Sequence, residues 1–120
     1  MKNKLSAYPN FFMSSDGTIA DALTCITENK HGAVIVVDDR NIVYGIVADG
    51  DVRRAMLKGA TMLTPIMKLV NTNSVVLPDT INKEAEAEKI FGDHVGFNLV
   101  PVVAADNTLV DIMIRNTSKA

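Results

Sequence analysis

Ala33-Val34-Ile35-Val36-Val37, then Asp38-Asp39-Arg40-Asn41, then Ile42-Val43-Tyr44-Gly45-Ile46-Val47-Ala48 follow one another without a gap. The first run is short, rich in β-branched residues and stopped by turn formers, which predicts a buried strand. The last run predicts a second strand, and the short polar connection makes the pair an antiparallel hairpin. At an offset of 66 positions the same order is written again. Val100-Pro101-Val102-Val103 stands for Val34 to Val37, Asp106-Asn107 for Arg40-Asn41, and Leu109-Val110-Asp111-Ile112-Met113 for Val43 to Val47. Similarity at a fixed spacing means two copies of one supersecondary unit, stacked so that each covers apolar surface the other cannot bury alone.

Outward from the first hairpin the period changes from two to that of a helix. Ile19, Ala22, Leu23 and Ile26 fall at i, i+3, i+4 and i+7, so one stripe is apolar, with Ser15 or Asp16 in position to cap it and Gly32 to stop it. After the hairpin, Val52, Ala55 and Met56 make the apolar face of another helix, with Asp49 at its N-cap and Gly59 at its end. In the second copy Asp79-Thr80-Ile81 echoes Gly17-Thr18-Ile19, and Asn82 to Phe91 reads as a helix whose Glu84, Glu86 and Glu88 face solvent. Pro65 opens a short helical turn at Ile66-Met67, and the closing helix of the second copy is missing, only Asn116 to Ala120 remaining. The expected organisation is α+β: a first repeat at 14–60, a connecting segment at 61–73 and a second repeat at 74–115, each a small sheet with flanking helices.

Composition narrows the function classes. The 120 residues are 48% hydrophobic and 22% charged, ordinary globular material sufficient for one compact domain or two small repeats. The formal charge of −2 and the lack of a basic run argue against nucleic-acid and anionic-membrane partners. The longest apolar runs are far too short to cross a bilayer, and the opening residues lack the apolar region of a secretory signal, so a soluble, cytoplasmic chain is expected. Cys25 is alone, and His31 and His94 lie before strands without paired carboxylate or cysteine spacing, which gives no metal site. No Ser/His/Asp, Cys/His or paired-acid set supplies a nucleophile or a general base, so no enzyme is expected. Asp49-Gly50-Asp51 has the spacing of the metal-binding acid pair that glycosyltransferases use, but that chemistry needs a larger nucleotide-binding domain than this chain. Asp38-Asp39 is read as a turn rather than as the acidic pair of a receiver domain, because it follows thirty-seven residues and the receiver fold leaves the repeat unexplained.

The string Gly45-Ile46-Val47-Ala48-Asp49-Gly50-Asp51-Val52-Arg53-Arg54 resembles the pattern of tandem cystathionine-β-synthase (CBS) domain pairs, which is Gly, two apolar residues, Thr or Ser, two variable residues, then Asp. The resemblance covers Asp16 to about Arg115. With Leu57-Lys58-Gly59 it is most similar to the pairs attached to arabinose-5-phosphate isomerases and sugar nucleotidyltransferases. It implies two repeats packed sheet against sheet by pseudo-twofold symmetry, with clefts that commonly hold adenosine-type nucleotides. The implied function is a regulatory nucleotide-sensing module, usually a homodimer, that binds AMP, ADP, ATP or a nucleotide sugar and controls an attached or associated enzyme. The residues carried over as ligand-binding are Thr18, the backbone of Gly32, Ala33 and Val34, then Ala48, Asp49, Gly50, Asp51 and Arg54. Asp51 would accept two hydrogen bonds from a ribose diol, Gly50 would leave room, and Arg54 would add positive charge for a phosphate. For Asp49 the plainer role, stabilising the first helical turn, is preferred.

The departures from that pattern matter as much. Ala48 stands where the pattern has the hydroxyl that bonds phosphate. In the second repeat Asp111 replaces the glycine, Ile114 the hydroxyl residue and Thr117 the aspartate, so binding is expected in the first cleft only. Two rivals stand beside this reading: a ligand-free dimerisation or scaffold module, and a part of a sugar nucleotidyltransferase.

Overall fold

The computed structural model describes residues 4–93 and 98–115. The first half contains β1 (Phe12–Ser14), α1 (Ile19–Asn29), β2 (Ala33–Val37), β3 (Val43–Ala48) and α2 (Asp49–Leu57). The second contains β4 (Leu77–Pro78), α3 (Lys83–Asp93), β5 (Leu99–Val103) and β6 (Leu109–Ile114). Short 3-10 turns lie at Lys4–Ala7 and Ile66–Lys68, the latter opened by Pro65 as its sequence suggests. Each half forms a three-stranded sheet, β1-β2-β3 and β4-β5-β6, in which the outer strand runs parallel to the middle one and the hairpin is antiparallel. Both hairpins carry a register shift at the same point, between Val36 and Val37 and between Val102 and Val103. The fold is α+β. Strands β1 and β4 have no counterpart in the sequence reading, because three and two residues are too few to display a period.

The repeat is also a symmetry of the hydrogen bonds. In each turn the backbone of Asp38 or Ala104 pairs with Ile42 or Thr108, and Asn41 or Asn107 stands in the left-handed region at φ 65° and 72°, which asparagine tolerates better than other side chains. Across the halves, the Val43 N–H donates to the Asn107 carbonyl at 3.0 Å and the Leu109 N–H donates to the Asn41 carbonyl at 2.8 Å. Moving the donor forward and the acceptor back by 66 positions turns the first bond into the second, so the two exchange under the repeat symmetry. The Asn107 side chain adds a bond from Nδ2 to the Val43 carbonyl at 2.9 Å. The two hairpin tips thus satisfy one another's backbone groups, as buried backbone requires.

Because strand side chains alternate, each middle strand feeds two cores. Ala33, Ile35 and Val37 pack between the sheets with Val43, Leu99, Val103, Leu109 and Ile112. Val34, Val36 and Val47 face the other way, onto Ile19, Ala22, Ile26, Val52 and Ile66. Val100 and Val102 do the same in the second half, against Ala87 and Phe91 of α3. Full burial of Ile35 or Ile112, each at most 1% exposed, contributes on the order of 2 kcal/mol.

Three local expectations need correction. The N-cap of α1 is Thr18, neither Ser15 nor Asp16; its hydroxyl accepts the Asp21 N–H, and Asp21 Oδ2 accepts the Thr18 N–H at 2.9 Å, a reciprocal capping box. Ile81 does not repeat Ile19: it precedes α3 and is 96% exposed, whereas Ile19 is fully buried. At the start of α2 the N-cap is Ala48, and Asp49 is the first helical residue.

Candidate functional site: a cleft at the start of helix α2

A cleft of about 260 Å³ opens between the repeats. Ala33, Ile46, Ala48, Val75 and Leu99 make its apolar walls, Asn71, Asn73, Ser74 and Asn98 supply neutral polar groups, and Asp51 supplies a carboxylate. The wall from the connecting segment is held by backbone pairing along β3. The Asn71 N–H donates to the Ile46 carbonyl at 3.2 Å, and the Ile46 N–H donates to Ser74 Oγ at 3.2 Å. The Ser74 hydroxyl in turn donates to the Asn71 carbonyl at 2.6 Å. This crossing explains Gly45, where a Cβ would run into the Asn71 carbonyl oxygen. At the rim, Asn98 Nδ2 donates to the His31 carbonyl at 3.1 Å.

Asp51 is held at the mouth of the cleft by two bonds. Its Oδ2 accepts the Ala48 N–H at 2.8 Å, one half of a capping box, and its Oδ1 accepts from Arg54 Nη2 at 2.7 Å. The other half of the box is missing, since Ala48 has no oxygen to offer the third N–H of the helix. Asp49 faces away from Asp51's partners and pairs with Arg53, Nη1 to Oδ2 at 2.7 Å. Both guanidinium groups fold back along α2, and a Cβ on Gly50 would stand 3.2 Å from Arg54 Nη1.

Of the residues expected to bind ligand, Ala33, Ala48 and Asp51 line the cleft, and Gly50 and Arg54 border Asp51. Gly32 lies at the edge: its carbonyl accepts the Asp49 N–H at 2.9 Å, tying the entry of β2 to the start of α2. Thr18 and Val34 are elsewhere. Thr18 caps α1 at the opposite end of that helix from Ala33, and Val34 is fully buried on the helix side of the sheet because neighbouring strand residues face opposite ways. The sequence reading missed the amide wall. The cluster Asn71-Thr72-Asn73-Ser74 carries a signal only as a polar loop, and Asn98 has no motif around it.

Among the described residues, the pseudo-symmetric position in the second half is lined by larger side chains. Across the sheets, Met13 pairs with Val36 and Leu77 with Val102, so Val75 corresponds to Phe11, while Ala33 and Ala48 correspond to Leu99 and Ile114. Ala33 and Leu99 exchange places under this symmetry and both line the open cleft, so the two positions that carry larger side chains are Phe11 and Ile114. Leu5 and Phe11 are buried there with Leu109 and Ile112, and Tyr8 packs beside them. Burial, and next the Asp111 carboxylate, push the Tyr8 hydroxyl above its ordinary pKa. Asp111, in the place of Gly45, lies 3.2 Å from Lys83 Nζ, which also meets Asp79 Oδ1 at 2.7 Å. Thr117 and His94 lie outside the described residues.

Fold and site together define a two-repeat α+β module with an open cleft between its halves. Residues 5–58 match the family model of the CBS domain, and the two repeats share the fold of a CBS domain pair. The arabinose 5-phosphate isomerase GutQ of Salmonella typhi is 30% identical over 60 residues, 50% of this chain and 19% of that protein. The chain thus spans less than a fifth of the length of the curated relatives it matches. The CBS domains of a transcriptional regulator from Streptococcus pneumoniae superpose with a TM-score of 0.72 at 20% identity, covering 96% of this chain and 89% of that one. A CBS domain protein, PAE2072 from Pyrobaculum aerophilum, solved with AMP, superposes with a TM-score of 0.68 at 21% identity over 86% of this chain and 78% of its own.

Proposed function

We propose that this chain is a regulatory module that binds one adenosine-type nucleotide or nucleotide sugar in the open cleft and thereby controls an attached or associated enzyme. The observation that carries the reading is Asp51, a carboxylate lining an otherwise neutral, half-apolar cleft whose amide wall suits the edge of a base. The AMP-bound relative of like fold supports the ligand class. The division into repeats at 14–60 and 74–115 around a connecting segment, a cytoplasmic setting and a homodimer belong to the same proposal. Met56, Leu57, Met62 and Leu63, all exposed, offer the dimer an apolar face. Thr18, Val34 and Asp49 drop out of the proposed ligand set, and Asn71, Asn73, Ser74 and Asn98 enter it.

A second reading, a scaffold that binds no nucleotide, is favoured by Ala48 and by the engagement of both Asp51 oxygens within the chain. Calorimetric titration with adenosine, AMP, ATP and a nucleotide sugar separates the two. Saturation at one ligand per chain by any of them supports nucleotide sensing; no heat with all four at millimolar concentration leaves the scaffold.

A further inference from the structure

We infer that Arg54 competes with the ligand for Asp51, so that ligand affinity depends on how readily this guanidinium lets go; the inference rests on the ribose reading above. A vicinal diol brings two O–H donors to a carboxylate whose oxygens already have partners, the Ala48 N–H on one and Arg54 on the other. The two partners are not equally replaceable. The Ala48 N–H is a backbone group fixed where β3 turns into α2, and giving it up would unpick the helix start. Arg54 is 68% exposed along its side chain, so leaving Asp51 means only exchanging the carboxylate for water. Its guanidinium also lies over the first turn of α2, beside Gly50 and the carboxylate the diol must reach. Arg54 is therefore the partner that yields, and it contributes a competing interaction where the family resemblance would make it a phosphate ligand.

The test uses a neutral probe, adenosine, so that no phosphate is present to attract the arginine. Adenosine is titrated into the full chain and into Arg54→Gln at about 20 mM and about 500 mM salt, a range over which screening of exposed charges becomes nearly complete. Loss of an exposed ion pair from the empty state should tighten binding by about two- to five-fold in Arg54→Gln at low salt. Added salt should tighten binding to the native chain by a similar factor relative to Arg54→Gln, a response that a merely structural role of Arg54 does not give. In an Asp51→Asn background the Arg54→Gln effect should vanish. Adenosine bound equally or more weakly by Arg54→Gln overturns the competition and leaves the ribose reading standing. Adenosine bound by neither protein overturns both.

Discussion

Ala48→Ser should stabilise the protein, because it completes a cap that the structure half builds. Ala48 has φ −100° and ψ 162°, the extended conformation of an N-cap, and Asp51 already returns its carboxylate to the Ala48 N–H at 2.8 Å. A serine Oγ in that backbone geometry accepts the Asp51 N–H, as Thr18 Oγ1 accepts the Asp21 N–H at the start of α1. Ala48 lines the open cleft, so the added oxygen meets space rather than packed side chains. Capping by Ser instead of Ala contributes about 1 kcal/mol, within a range of roughly 0.5–2. For a chain of this length that is about 4 °C in Tm. Urea unfolding is the assay: the midpoint should rise while the slope stays fixed, since the surface exposed on unfolding does not change. Midpoints unchanged or lowered in both Ala48→Ser and Ala48→Thr would refute the capping argument and mean that the helix start is satisfied in another way.

Asp51→Ala should weaken nucleotide binding by roughly ten- to a hundred-fold through loss of a charge-assisted hydrogen bond, and lower stability by about 1 kcal/mol through loss of the half box; calorimetry and urea melts read the two effects separately. Gly45→Ala should destabilise by more than about 2 kcal/mol, because neither Asn71 nor β3 can move away without breaking their shared pairing; a near-native midpoint would contradict the close approach. Lys83→Met should cost about 3 kcal/mol by stripping a close cation from Asp111, which is 7% exposed. The pH profile should agree. The Lys83 amine is held above its ordinary value chiefly by Asp79, so its contribution is complete below about pH 10 and lost as the solution becomes more alkaline; the Asp79 carboxyl is held below its ordinary value by the same bond, so its contribution is complete above about pH 5 and lost on acidification. Urea midpoints of the native chain that stay flat down to pH 2 would count against the Asp79 part.

The hairpins were legible because their signals are redundant. The runs at 33–37 and 42–48 are long enough to show strand character, their turns carry Asp and Asn, and everything recurs at one offset. What stayed hidden depends on surfaces meeting from distant parts of the chain. Ile81 has the same local text as Ile19, yet α3 begins two residues later at Lys83, whose amine meets Asp111 from β6. The site was half legible for the same reason. Asp51 is announced by a contiguous motif, whereas Asn71 and Ser74 join it only because the connecting segment bonds back onto Ile46. The change in the second cleft is foreshadowed by Ile114 and Asp111, but Phe11 takes part through the pairing of β1, a strand three residues long, with β2.

The larger side chains at the sister position have a consequence for the proposed ligand response. A protein with one seat fills along a simple hyperbola, and passing from a tenth to nine tenths occupied takes about an 80-fold rise in free ligand, since there is no second occupancy to couple to the first. On the one-ligand reading proposed above, Phe11 and Ile114, which enlarge the lining of the sister position, would leave each chain with a graded readout. On that reading, a steep response to ligand would have to come from coupling between copies of the chain or with whatever protein it acts on.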